Sequence, residues 1–428
     1  MEREKVAMEQ TDVLVIGGGT AGAIAALQSA RAGASTMIVE SGARLGGTMT
    51  AGGVWAVQFF NAGSRQVIAG IGWEMVCKSL ALENKPQPDF SGDGDWTGTN
   101  VFINGDILSL VLEEEALAAE ITLHYHEFPL SVTQTEDGVW TVIAVGRGGV
   151  RREIKAKQLI DCTGDASVVG MLGLRRRREE TIQPGTLMCR LRGYDPTSLD
   201  EAEIQRRYEA ALANGLLEPS DWWRSSDMPF IGLLQQHGSN AIHVPDADSS
   251  TSQSQTLASI RGRAALLRLL RFVRTLPGCE DVRLVKMFED TAARETFRIT
   301  GEKTVTEEDY VSGKVHEDAV CYSFYPIDVH TETGVIYEPL PKGVVPTVPL
   351  GALVPEESTN LLAAGRTVSS DRRANSALRV MASCMAMGQA AGAAAALACR
   401  TASTPGRVNL QDLRELTAGH GAIIPPTQ

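Results

Sequence analysis

One short stretch restricts the fold more than any other: Val13-Leu14-Val15-Ile16 running into Gly17-Gly18-Gly19-Thr20-Ala21-Gly22. An apolar run this short and unbroken predicts a strand buried on both faces, as in a parallel sheet. The G-x-G-x-x-G turn then opens a helix continued by Ala23 to Ala30. Gly17 permits the tight turn, Gly19 admits a diphosphate to the backbone, and Gly22 lets helix and strand pack closely. Thr36-Met37-Ile38-Val39 follows as a second apolar strand ending in Glu40, where a carboxylate can reach a ribose. The chain is therefore expected to be α/β, with a Rossmann-like dinucleotide site. Thr20 and Ala21 would stand with the orphan amides of the helix N-terminus against the diphosphate.

A length of 428 residues accommodates two or three domains. The formal charge of −12 argues against a nucleic-acid partner, which would select a basic face. Seven scattered cysteines with no C-x-x-C pair fit a reducing compartment, without disulfides or a zinc site. His124 and His126 share a strand face, but no third ligand follows and no metal is expected. Met1 to Gln10 is polar and carries no secretory pattern. Met385 to Cys399, mostly Ala and Gly with Gln389 inside, reads as a packed core helix rather than a bilayer span. A cytoplasmic protein with no membrane partner is expected, and its oligomeric state is left unassigned.

Residues 11–170 read as the first part of the dinucleotide domain. After its β-α-β unit come a helix over Ile107–Ala119, a strand over Ile121–Phe128, and a β-meander formed by Val139–Val145 and Arg151–Ile160. Residues 171–345 read as an inserted α+β substrate domain. It contains the Trp222-Trp223 pair and an amphipathic helix over 256–275, whose stripe is Leu257, Ile260, Ala264, Leu267, Leu270 and Val273. Residues 346–400 return to strand, glycine and a helix over Ser376–Cys399, and 401–428 form a peripheral tail.

A glycine loop alone does not separate a nicotinamide from a flavin dinucleotide. Three further features favour FAD. Arg44-x-Gly46-Gly47-Thr48 offers a phosphate-reaching arginine and a glycine pair that can pass close to a ring system. Thr163-Gly164-Asp165 ends the strand after the meander. Gly365-Arg366 ends another strand near the C-terminus, so that a long dinucleotide would be held from both ends of the chain.

Taken together, these motifs resemble the FAD-dependent oxidoreductases of the glutathione-reductase-like, two-dinucleotide-fold superfamily. More narrowly, the chain looks like a bacterial FAD-dependent oxidoreductase family distantly similar to fumarate reductase flavoproteins. The resemblance covers about 11–399 and is most specific at Arg294-Glu295-x-x-Arg298-x-x-Gly301 and Tyr325-Pro326-Ile327-Asp328-Val329-His330. It continues through Leu361 to Arg366, Ala377 to Met381 and Gly388 to Gly392. It implies that Gly17 to Gly22 and Glu40 hold ADP, that the Phe128 backbone meets adenine, and that Gly365-Arg366 lies by the ribityl chain. Arg379 and Val380 would open the last helix beneath the flavin pyrimidine edge, where helix amides stabilise an anionic reduced flavin. Arg366 departs from the acid usual in the superfamily; it would bind the pyrophosphate or brace the loop.

For substrate chemistry His330 is the first candidate, since its ordinary titration range suits proton transfer. Arg294 and Arg298 could clamp a carboxylate or oxyanion, with Glu295 holding either one. The expected activity is hydride transfer between a small polar or anionic substrate and non-covalent FAD. A non-redox flavoenzyme (isomerase, hydratase or lyase) and a flavin-binding subunit of a larger complex are the competing readings. A monooxygenase is less favoured because no separate NADPH module is visible. Cys162 and Cys384 read as core residues.

Overall fold

The computed structural model describes residues 7–91, 98–224, 228–332 and 334–426. Strand β1 (Ala7–Ile16), helix α1 (Thr20–Arg31) and strand β2 (Thr36–Glu40) form the expected β-α-β unit. β1 begins ahead of its apolar run because Ala7 to Gln10 already pair with a long partner strand. Helix α2 (Gly105–Ala118), capped by the Asn104 side chain accepting from the Asp106 amide, leads to β3 (Thr122–Tyr125). The single strand expected over 121–128 is broken. His126 takes a positive φ of 58° and donates its N–H to the Gly42 carbonyl, and the chain turns there into β4 (Glu127–Gln134). With β5 (Trp140–Gly146) and β6 (Arg151–Asp161), β4 makes the antiparallel meander.

The next region builds a separate layer. Strands β7 (Gly185–Arg192) and β8 (Gly238–Val244), helix α3 (Ser252–Val273) and strand β9 (Arg283–Met287) follow, with the three strands in the antiparallel order β8-β7-β9. Leu187, Tyr208, Trp222, Phe230, Leu266 and Val282 belong to a hydrophobic cluster of this layer alone. The buried face of α3 keeps only Val273 of the expected stripe, with Leu270 half-buried. Leu257, Ile260 and Leu267 are exposed, whereas Ala258, Gly262, Ala265, Leu266 and Leu269 are buried. Small residues win that face because the helix lies close to the sheet: a Cβ on Gly262 would come within 3.3 Å of Thr291, Leu187 and Val244.

A hairpin of β10 (Ile327–His330) and β11 (Val335–Glu338) follows, and its Ile327 and Val329 join the main core with α1. The chain then enters β12 (Leu361–Ala363), α4 (Arg372–Leu378), α5 (Met381–Thr401) and α6 (Leu410–Gly419). The one helix expected from Ser376 is two. Asp371 caps α4 by accepting from the Ala374 amide, the turn ends at Arg379, and an extended Val380 (ψ 154°) starts α5 afresh. The α/β architecture expected from the sequence is present. The parallel strands lie in the order β3-β2-β1-β6-β12, and the meander continues beside β6.

Helix α5 is long and apolar enough to cross a bilayer by composition, and 89% of that apolar window is buried inside the protein. A Cβ on Gly388 would stand 2.2 Å from the Ala21 carbonyl oxygen, and one on Gly392 2.2 Å from that of Ala25. The two helices therefore run parallel, backbone against backbone. At 1.5 Å per residue the start of α5 overshoots the start of α1 by roughly 10 Å. Two helix N-termini thus face the same end of the molecule at different heights. Helix α6 buries Leu413, Arg414 and Thr417, while residues 427–428 of the expected tail lie outside the described residues.

Candidate active site

The C-terminal ends of the parallel strands open on a cavity of about 670 Å³, within the size range of small-molecule sites. Its lining follows the strand order: Glu40 and Ser41 after β2, Gly17 to Ala21 after β1, Cys162 to Asp165 after β6, and Ala364 to Arg366 after β12. Four adjacent strand ends span roughly 14 Å at ordinary sheet spacing, which suits an extended group rather than a compact one.

On this side backbone does most of the work. Helix α1 starts at Gly19 without a side-chain cap among the described residues, leaving first-turn amides free toward the cavity. A Cβ on Gly19 would meet only the Gly47 Cα, at 4.0 Å, while one on Gly47 would stand 2.9 Å from the Gly19 Cα. The two glycines thus let the loops pass closely, and Gly47 and Thr48 line the cavity beside the turn. Glu40 accepts from the Gly18 and Gly42 amides at 2.6 Å each. Burial raises its pKa against the opposing pull of those amides. Phe128, Thr163, Gly164 and Gly365 line the cavity as well, Gly365 with φ +95°. At the other end stand Arg379, Val380 and Met381, where α5 begins, again with no side-chain cap among the described residues.

Of four further expected cofactor residues, Gly22 has the packing role expected of it and the other three stand differently. Gly22 is a packing position: a Cβ there would lie 1.8 Å from the Gly17 carbonyl oxygen. Gly46 turns its α-carbon to Thr50 and Leu112 rather than to the cavity. Arg44 points away, bonded to Asp106 at 2.8 Å and Glu289 at 2.6 Å, because two acids on the outer surface outcompete the cavity for it. Arg366 lines the cavity, but its donors are taken: it bonds to the Gly164 carbonyl at 2.7 Å, Asp165 at 3.0 Å, Ser249 at 3.2 Å and the Ala293 carbonyl. Of its two expected roles, bracing the loop is the one these bonds fill.

The opposite wall is made of side chains. His330 Nδ1 lies 3.0 Å from His243 Nε2, and His330 Nε2 lies 3.2 Å from Asp328 Oδ2. His243, on β8, reaches the Thr331 carbonyl through Nδ1 at 2.9 Å and stacks flat on Trp223. Arg294 is 8% exposed and donates to the Pro184 carbonyl at 2.6 Å and the Asn240 side-chain oxygen at 3.4 Å. Burial and the neighbouring Arg379 charge push its pKa down to about 9. Arg379 bonds Asp328 through the backbone carbonyl at 3.1 Å and the carboxylate at 3.4 Å. Burial, then the Arg294 charge, push His330 down to about 4. Asp328 sits below the usual carboxylate range; burial raises it, but His330 and the two arginines outweigh that.

Arg298 does not join this wall. It is buried against the Ser370 carbonyl at 3.1 Å and Glu179, because the chain leaves its loop there for a short strand facing the other way. Glu295 holds neither expected arginine; it accepts from the Gln183 amide at 2.7 Å and from Arg372 at 2.9 Å. Cys162 and Cys384 line the cavity with thiols raised by burial, that of Cys384 to about 12. His243, Asp328 and Gln183 were not foreseen as site residues. Asp328 had a signal, since alternation puts it on the same strand face as His330. His243 had none, for its partner lies 87 residues away.

A family model described as FAD dependent oxidoreductase matches residues 12–416. A geranylgeranyl bacteriochlorophyll reductase-like protein from Thermoplasma acidophilum aligns at 13% identity over 97% of this chain and 83% of its own, with a TM-score of 0.43. The p-nitrophenol 4-monooxygenase PnpA from Pseudomonas putida aligns at 14% identity over 97% and 85%, with a TM-score of 0.42. The anhydrotetracycline hydroxylase OxyS from Streptomyces rimosus aligns at 20% identity over 44% of this chain, with a TM-score of 0.31; the chain spans 39% of that enzyme's length. No curated protein sequence matches.

Proposed function

The chain belongs to the FAD dependent oxidoreductase family, and from that premise we propose that it transfers hydride between a small anionic organic substrate and FAD. Arg294 would hold the anion and His330 would handle the proton. The glycine cradle and the starts of α1 and α5, neither with a side-chain cap among the described residues, fit an extended, two-phosphate flavin. Gly17 to Ala21, Glu40, Gly47, Thr48, Phe128, Thr163, Gly164 and Gly365 would hold it, without a covalent bond. When bound, FAD supplies hydride acceptance or donation. We also infer membership of the glutathione-reductase-like superfamily, at a distance from fumarate reductase flavoproteins, supported by the glycine loop and the returning C-terminal strand.

One observation carries the substrate class. Arg366, Arg372, Arg298 and Arg379 each have a carboxylate partner within 3.4 Å. Arg294, nearly as buried as any of them, has none among the described residues and makes bonds to two neutral oxygens. Asp328 acts on it only at a distance; a buried guanidinium with no carboxylate in contact is costly, and an anionic ligand lowers that cost. The bonds to Pro184 and Asn240 fix its plane, so it presents a pre-aimed fork to a carboxylate. His330 stands on the same wall, where its imidazole can give or take a proton at the reacting group.

The test is anaerobic titration of the flavin-loaded protein with small hydroxy-, amino- and unsaturated carboxylates alongside their neutral amides and esters. An acid that bleaches the oxidised flavin, or restores it from the reduced form, while its ester does not supports the reading. Equal action by the neutral compounds removes Arg294 from substrate binding. Turnover of an acid with no net flavin reduction or oxidation favours a non-redox flavoenzyme.

A further inference from the structure

The hydrogen bonds on the side-chain wall can be counted proton by proton. Between the Thr331 carbonyl and the Asp328 carboxylate run two imidazoles and three junctions, at 2.9, 3.0 and 3.2 Å. Each junction joins two atoms that both carry lone pairs, so each needs one proton. Two neutral imidazoles supply two protons in any arrangement of their tautomers. We propose that this chain is one proton short when the site is free, and that an anion seated on Arg294 draws the missing proton in.

The direction follows from the surroundings. Acting on the pair of rings are Arg294 from the loop after β9, Arg379 from the α4–α5 turn and Asp328 itself, and beside Asp328 stand Tyr325 ahead of β10 and Tyr337 on β11. Two cations against one carboxylate disfavour a third positive charge on an imidazole, and burial acts the same way. His330 is accordingly held at about 4 and His243 is displaced further in the same direction, so at neutral pH both rings are neutral. A bound anion cancels the Arg294 charge that helps to hold His330 down. The third junction then fills, leaving an imidazolium–carboxylate pair, or its neutral equivalent, with every hydrogen bond made. His243 is a positioning residue here. It belongs to the second layer, is fixed by Trp223 and Thr331, and passes that constraint to His330 on β10. The loaded site thus presents an acid where the free site presents a base.

This inference rests on the anion site proposed for Arg294. The test uses the flavin-loaded protein and methanesulfonate, which does not titrate between pH 5.5 and 8. Calorimetry in buffers of different ionisation enthalpy counts the protons taken up on binding. A group whose pKa rises on binding takes up a proton, so affinity should tighten as pH falls, by up to about tenfold per unit, and level off below the free-site value. The expected result is close to one proton per anion in the native protein. In Asp328→Asn the amide donates to His330 and fills the junction, so binding should become independent of pH; His330→Gln should also lose the uptake. Binding with no proton uptake in the native protein overturns the inference and leaves the anion site standing. No binding of methanesulfonate or acetate at any pH overturns both.

Discussion

The two walls of the cavity are built by opposite strategies. The sheet-side wall is backbone: four strand ends, a glycine loop and two helix starts, all close to positions named by short contiguous motifs. The facing wall is side chain: Arg294, Arg379 and the strand mates Asp328 and His330 come from three separate segments, with His243 of the second layer behind His330. A backbone site tolerates few changes, because a single added methyl group meets carbonyl oxygen. A side-chain site can be altered one function at a time while the cofactor stays bound.

That contrast can be broken most sharply at Gly22. Its substitution by alanine places a Cβ against the Gly17 carbonyl, a clash that a packed loop relieves only by moving. Gly22→Ala should purify nearly colourless, with flavin content falling from near one per chain to near zero; full flavin loading would show that the loop is not the cradle. On the facing wall, His330→Gln should keep its flavin and lose roughly 10²- to 10⁴-fold in kcat, read by single-turnover flavin absorbance. Arg294→Met should cost about 2–5 kcal/mol in transition-state binding of an acid, raising the barrier for the carboxylate while leaving its neutral amide nearly unchanged. The smallest effect on activity belongs to Arg298→Met. It removes an interior brace to Ser370 and Glu179, so the melting temperature should fall, by about 1–3 kcal/mol of stability, with kcat/KM changed less than about threefold. A large loss of kcat/KM there would return Arg298 to the site.

The same contrast explains what could be read from the chain. The β-α-β unit, the meander and the returning strand were legible because strand burial and glycine turns are local properties of a few consecutive residues. Breaks were not. His126 turns the chain through a positive φ stabilised by Gly42, a distant partner, and the α4–α5 break at Arg379–Val380 leaves no proline or glycine to mark it. The buried face of α3 departs from the apolar stripe because leucines outweigh alanines in any apolar sum, whereas close approach to a sheet selects the smaller side chain. On the site, Arg294 and Arg298 are indistinguishable in sequence. Only the position of Glu179 separates a paired brace from an unpaired cation.

The account depends most on that unpaired guanidinium receiving a substrate's negative charge. A crystal structure of the flavin-loaded protein with a small bromo-carboxylate, located by the anomalous signal of bromine, tests this directly. The carboxylate is predicted within hydrogen-bond reach of Arg294, on the wall that carries His330. A carboxylate bound elsewhere, with Arg294 still facing only Pro184 and Asn240, would contradict it.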